Sequence, residues 1–159
     1  MNPFLISTSS VATVVSEVAA WGAKDVETGG FLLSDHDGAI TLVALSGAAG
    51  IQRRRAQLVV SGRALAVLFG YADAHGYAVR AQFHSHSGRA FLSRSDLRHG
   101  FSVEGFVTTV LPSYAAPPVD PRAWSWWAYL GGWARIAPPV ISPGATPVVR
   151  FDEDGVHET

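Results

Sequence analysis

Val11, Val14, Val15 and Val18 fall at i, i+3, i+4 and i+7, which places one apolar stripe on a helix. Ser9 or Ser10 can cap its start and Gly22 can end it. GGFLLS (29–34) then reads as a strand, DHDG (35–38) as a turn and AITLVAL (39–45) as the second strand of a hairpin. AQLVVS (56–61) is another strand. Leu65, Leu68, Phe69 and Ala72 form a second helical stripe, closed by His75-Gly76. In YAVRAQFHSH (77–86) the period changes to two: Tyr77, Val79, Ala81 and Phe83 face one way, Arg80, Gln82 and His84 the other. GFVTTVL (105–111) and WSWWAYL (124–130) are two further strands, and VVRF (148–151) is a short last one. The proline-rich segment 138–147 is expected to be a loop and residues 152–159 a mobile acidic tail. The pattern predicts one α+β domain over residues 1–159: a mixed sheet of about six strands, one helix before it and one inserted.

Composition narrows the function classes. The 159 residues are 48% apolar with a formal net charge of -1. That balance carries no electrostatic footprint for nucleic acid or for an anionic membrane. No apolar run reaches the length of a spanning helix. MNPFLISTSS lacks a positive leader region, so no signal peptide and a cytoplasmic location are expected. Without cysteine there is no disulfide, thiol nucleophile or thiolate-bound zinc, and any metal must sit on His, Asp or Glu.

QFHSHSGRAFLSRSD (82–96) concentrates the candidate chemistry. Residues i and i+2 of a strand point to one side, so His84 and His86 can aim two imidazoles at one point. The following loop can turn back and bring Asp96 to the same place. Two histidines and a carboxylate leave a fourth tetrahedral position for water, the pattern of a catalytic zinc site. Zinc lowers the pKa of such a water to about 7. A nearby carboxylate that does not ligate the metal must then carry the proton to the leaving amine. Glu27, just before Gly29 and Gly30 where backbones can approach closely, suits that position. Ser93 offers a hydroxyl to an oxyanion.

Taken singly, each residue has a plainer reading. His84 and His86 suit two half-exposed side chains at a strand end, and Glu27 a solvated carboxylate. Asp96 suits an N-cap for LRHGF and Ser93 a turn residue.

In combination, ETGG (27–30), HSH (84–86) and SRSD (93–96) resemble the JAMM motif of the JAB/MPN metalloproteases, in the compact bacterial form called Prok-JAB. The order of elements is similar too, over most of the chain. The resemblance implies a JAB/MPN-like (cytidine-deaminase-like) fold. It implies one Zn2+ per chain on His84, His86 and Asp96, Glu27 as general base and acid, and Ser93 as oxyanion donor. It also implies hydrolysis after the C-terminus of a ubiquitin-like protein, by deconjugation or precursor processing. Related bacterial proteins accompany the activating and conjugating enzymes of such systems, some of them antiphage, or trim sulfur-carrier proteins. Others in the wider family are scaffolds that bind without cutting. Two departures stand out. Ser87 replaces the usual proline after the second histidine, and the loop from His86 to Ser93 is one residue shorter than in many relatives.

A ubiquitin-like tail would reach the site as an added strand. The Gly30–Leu45 hairpin and the 87–92 loop are its expected walls, with Phe91 and Leu92 as apolar contacts or as core beneath the loop. RRR (53–55) can dock an acidic partner or form a solvated turn. Trp124 and Trp126 alternate with Trp127, so two faces carry aromatics: one is expected to be core, and the other can serve as an interface. No role falls to His36, His75, His99 or His157.

Overall fold

The computed structural model describes residues 4–35 and 38–159, and the side chains of all of these except residues 98 and 99. The elements, in chain order, are β1 (Leu5–Ser7), α1 (Thr8–Gly22), β2 (Gly29–Ser34), β3 (Leu42–Ser46), β4 (Ile51–Arg53), β5 (Leu58–Val60), α2 (Gly62–His75) and β6 (Ala78–Ser85). Then follow α3 (Arg94–His99), β7 (Val107–Leu111), β8 (Ser125–Tyr129), β9 (Trp133–Arg135), β10 (Val140–Ser142), β11 (Val148–Asp152) and β12 (Gly155–Glu158). A single 3-10 turn, Pro121–Ala123, precedes β8. The class is α+β as expected, but the main sheet has eight strands in the order β12-β11-β3-β2-β6-β7-β8-β9, where about six were predicted. It is mixed: β11 runs parallel to β3 and β6 parallel to β7, and the other pairs are antiparallel.

The helices start and stop where side chains can satisfy their ends. Ser7, two to three residues earlier than expected, caps α1 by accepting from the Ser10 amide at 3.0 Å. Ser61 caps α2, and Gly76 ends it in the left-handed conformation with φ 71°. Val11, Val14 and Val18 of α1 pack with Leu32, Val43 and Phe83 on one face of the sheet. Ala64, Leu68 and Ala72 of α2 pack with Phe31, Leu42 and Phe151 on the other. The alternation 31/32 and 42/43 between the two clusters is the period of a sheet buried on both faces.

Four expectations need correction. The alternation of 77–86 is not continuous. Leu32 pairs with Ala81 but Leu33 pairs with Val79, so Arg80 is a bulge. Tyr77 and Val79 therefore join the α2 cluster, while Ala81 and Phe83 join the α1 cluster. The proline-rich loop contains β10, which pairs in parallel with β1. The acidic tail is β12, paired antiparallel with β11. AQLVVS does form a strand, but β5 pairs only with β4 in a separate two-stranded sheet. The turn expected at 35–38 falls partly outside the described residues, as does His36. No helix among the described residues is long and apolar enough to cross a membrane.

α2 covers β11, β12 and the start of β6. The end of β6, with β7 beside it, is left for the 87–100 segment, and the candidate site lies there.

Candidate metal centre

Sheet register builds half of this site. Gly29 lies directly opposite His84 on the antiparallel neighbour strand. Counting two residues outward from each puts Glu27 opposite His86, with all these side chains on one face. Such tight pairing requires glycine. A Cβ on Gly29 would stand 2.4 Å from the Phe83 carbonyl oxygen and 3.2 Å from the His84 Cβ, and one on Gly30 would stand 2.4 Å from the Ala44 carbonyl oxygen. Main-chain bonds fix the frame: the Ser85 amide donates to the Thr28 carbonyl at 3.1 Å and the His86 amide to the Leu111 carbonyl at 2.9 Å. The Glu27 amide donates to the Arg54 carbonyl at 2.8 Å, which ties the carboxylate's strand to the tip of the β4–β5 hairpin.

The other half is local. Ser93 is the N-cap of α3 and Asp96 its third residue, joined in a capping box. The Asp96 amide donates to Ser93 Oγ at 3.1 Å, and the Ser93 amide donates to Asp96 Oδ2 at 2.7 Å. Ser93, read as a turn residue, is the N-cap in place of Asp96, and the capping box aims Asp96.

The two halves meet. His84 Nε2 is 3.1 Å from Asp96 Oδ1 and His86 Nε2 is 3.2 Å from Asp96 Oδ2. One ligand atom from each of the three residues lies within 4.8 Å of the others, spacing that could hold a metal ion. His84 and His86 are only 5% and 6% exposed, so these are not strand-end histidines in solvent. His84 Nε2 is buried without a hydrogen-bond partner, since the nearby carboxylate oxygen is out of line with it. A buried polar atom left unpaired is costly, and a metal ion at this point would satisfy it. His86 Nδ1 lies 3.3 Å from the Arg89 carbonyl, which orients the ring and leaves Nε2 for the shared point. The donor set of two imidazoles and a carboxylate fits zinc with one position open.

Charge is distributed to match. Burial works against ionisation of Asp96, but the two imidazoles beside it and the hydrogen bond from the Ser93 amide outweigh it and hold the carboxyl far below its usual range. Burial also disfavours the charged form of His86, yet the bond to Asp96 and the nearby Glu27 raise its pKa on balance. Glu27, 5% exposed, is pushed up to about 7. Burial is the main cause; His86 pulls the other way and Asp96 adds to the rise. A carboxyl poised there can both accept and release a proton near neutrality.

Glu27, His84 and Asp96 line one small cavity of about 50 Å³. Ala56, Gln57 and Leu58 from the β4–β5 tip form one wall, and Gln82, Thr108 and Trp133 another. The expected Gly30–Leu45 wall is replaced by that tip, because β2 and β3 are central strands buried on both faces. Leu92 lines the cavity. Phe91 is half exposed, with its ring edge-on to His86 at 4.9 Å. Gln82 was legible, two residues before His84 on the same face. Thr108 and Trp133 carry no local signal, since only strand order places them.

Arg53 of RRR points inward, donating to the Ser46 and Gly47 carbonyls at 2.6 and 2.7 Å and stacking on Trp21. Trp124 and Trp126 are core, and Trp127 faces the other way beneath Arg135. His75 stacks on Tyr71, and His157 lies 3.7 Å from Asp152.

No protein-family model matches the sequence, and no curated protein matches it significantly. Solved structures do match by shape. Protein DSY2949 from Desulfitobacterium hafniense is 15% identical, aligns over 89% of this chain and 94% of its own, and has a TM-score of 0.65. AF2198, a JAB1/MPN domain protein from Archaeoglobus fulgidus, is 17% identical over 89% of this chain and 99% of its own, with a TM-score of 0.50. At these identities the likeness is one of fold, and the chain has the fold of a JAB1/MPN domain protein.

Proposed function

We propose that the protein is a zinc-dependent peptidase or isopeptidase that hydrolyses the bond after the C-terminus of a ubiquitin-like protein. The reading rests above all on one observation. His84, His86 and Asp96 converge on one point, and the buried carboxyl of Glu27 opens into the same cavity. In this reading His84 Nε2, His86 Nε2 and an Asp96 oxygen would hold one zinc, the choice of metal and reaction resting on the donor set and on the resemblance of the three-part motif in a chain with a JAB1/MPN fold. Zinc in such a site supplies Lewis acidity, acidifying a water and polarising a carbonyl.

The chain's own residues supply the rest. Glu27 takes the proton from the attacking water, its carboxyl being tuned by burial to exchange protons near pH 7. It then gives that proton to the leaving amine as the C–N bond breaks. Ser93 Oγ already accepts from the Asp96 amide, so its own hydrogen is free to donate to the oxyanion. The β4–β5 tip and Leu92 wall the cavity and limit water. An extended tail can enter by pairing with an exposed strand edge. Activating or conjugating enzymes of a bacterial, antiphage-type modifier system would be the partners upstream.

The test is cleavage of a fusion between a folded ubiquitin-like domain and a reporter, set against a short peptide with the same junction. Docking of the folded domain positions the scissile bond, so the fusion should be cut at least about a hundredfold faster, and a chelator should abolish both. Equal rates would leave a general metallopeptidase. Full zinc loading with no cleavage of any modifier fusion, including a sulfur-carrier protein, would leave a binding scaffold.

A further inference from the structure

We infer that the rim of this cavity is a docking surface for an acidic, partly apolar protein segment, so that the substrate is recognised by negative charge beside its scissile bond. The inference rests on the proposed hydrolytic reading for its word substrate, but the surface itself is independent of catalysis.

Five arginines lie on, or within a few residues of, the segments that wall the cavity. Arg54 and Arg55 form the hairpin tip immediately before the wall residue Ala56, and both are exposed. Arg89 is exposed on the loop whose carbonyl orients His86. Arg94 opens α3 between Ser93 and the wall residue Ser95. Arg135 lies two residues beyond Trp133 on β9. Among the described residues only Arg55 of these five has an ion-pair partner, Asp25. Other arginines are committed to partners: Arg150 is locked onto Glu17 at 2.7 Å, Arg53 onto main-chain carbonyls and Arg122 onto Asp120, while Arg63 is exposed on α2. The chain as a whole carries a net charge of -1. Against that balance exposed arginines gather on the cavity's wall segments, while Asp152, Glu153, Asp154 and Glu158 lie at the end of β11, in the β11–β12 turn and on the edge strand β12.

A cluster of one sign around a cleft raises the local concentration of oppositely charged ligands and speeds encounter. The rim is also apolar in places: Phe91 is 50% exposed and Leu97 46% exposed beside these arginines. Alternating apolar and basic groups match a protein surface of apolar and acidic side chains, whereas a nucleic-acid footprint is a predominantly basic one.

The inference is tested by fluorescence anisotropy with a ten-residue peptide alternating glutamate and leucine, its lysine–leucine counterpart, and a single-stranded oligonucleotide. The zinc-loaded full chain should bind the acidic peptide at least about tenfold more tightly than the lysine one at low ionic strength, and the advantage should shrink with salt. Arg89→Glu with Arg94→Glu should abolish it, with zinc content and circular dichroism unchanged. Arg63→Glu, exposed on α2 away from the mouth, should leave it intact. Equal binding of the two peptides, or binding that survives the double reversal, overturns the inference. An oligonucleotide that binds as tightly as the acidic peptide overturns the assignment to a protein partner. Acidic-peptide binding without cleavage of any fusion would sink the hydrolase reading and leave the docking surface standing. Cleavage that is indifferent to acidic residues at the junction would do the reverse.

Discussion

The two halves of the site are held by different physics. His84 lies on β6, with Glu27 and His86 buried just outside the paired ends of β2 and β6, and all three are fixed by register and by two glycines with no room for a Cβ. Asp96 sits on a six-residue helix in the partly exposed 87–100 segment, fixed by a capping box of two hydrogen bonds. The sheet half cannot change without moving the core. The loop half can change locally, at the cost of a cap. On the proposed reading, proton handling and two ligands are thus built into the fold, while the third ligand and Ser93 are added by a short local device.

That contrast predicts a descending series of effects. Gly29→Ala or Gly30→Ala forces a Cβ against a main-chain carbonyl at 2.4 Å. It should cost about 3 kcal/mol or more, as overpacking does at its upper end, and lower the melting temperature even with zinc present. A mild loss would show that β2 can shift and that register is not what holds Glu27. Ser93→Ala should leave the global fold intact. It removes one cap and, on the proposed reading, one oxyanion donor, so turnover should fall on the order of 10²- to 10³-fold, with zinc affinity reduced by about tenfold through looser aim of Asp96. Loss of affinity with turnover at saturating zinc unchanged would confine Ser93 to capping. Phe91→Ala should mainly raise KM, by about fivefold on the scale of one partly exposed apolar contact, and should not alter zinc content.

A separate expected effect is one of pH. The folded-state pKa of Glu27 is raised from 4.5 to about 7. Over that window the native state binds more protons than the unfolded state, so Glu27 costs stability as pH rises from about 4.5 to 7. Metal-free Glu27→Gln should lose less stability over that window than metal-free wild type, seen in paired melting curves. Parallel curves would mean that Glu27 is solvated.

Much of the site was legible because its signals are short range. HSH needs only the two-residue period, ETGG only the need for close backbone approach, and SRSD only a helix start. The family resemblance combined them. What could not be read required knowledge of strand order. The β4–β5 tip as a wall depends on β2 and β3 being central, and Trp133 reaches the cavity through β9. The Arg80 bulge left no mark in an alternation that looks continuous from Tyr77 to Phe83. Pairing also overrode composition: β10 forms among prolines, whose ring nitrogens lie outside the Val140–Ser142 segment, and β12 forms in an acidic tail because β11 offers it an edge.

The most direct measurement is zinc content and turnover on the same preparations of wild type and Glu27→Gln. One zinc per chain in both proteins, with cleavage of the modifier fusion only in wild type, is the predicted result. It would separate a ligand set of His84, His86 and Asp96 from a proton carrier that never touches the metal. Loss of zinc in Glu27→Gln, turnover that survives the substitution, or wild type without zinc would contradict the account.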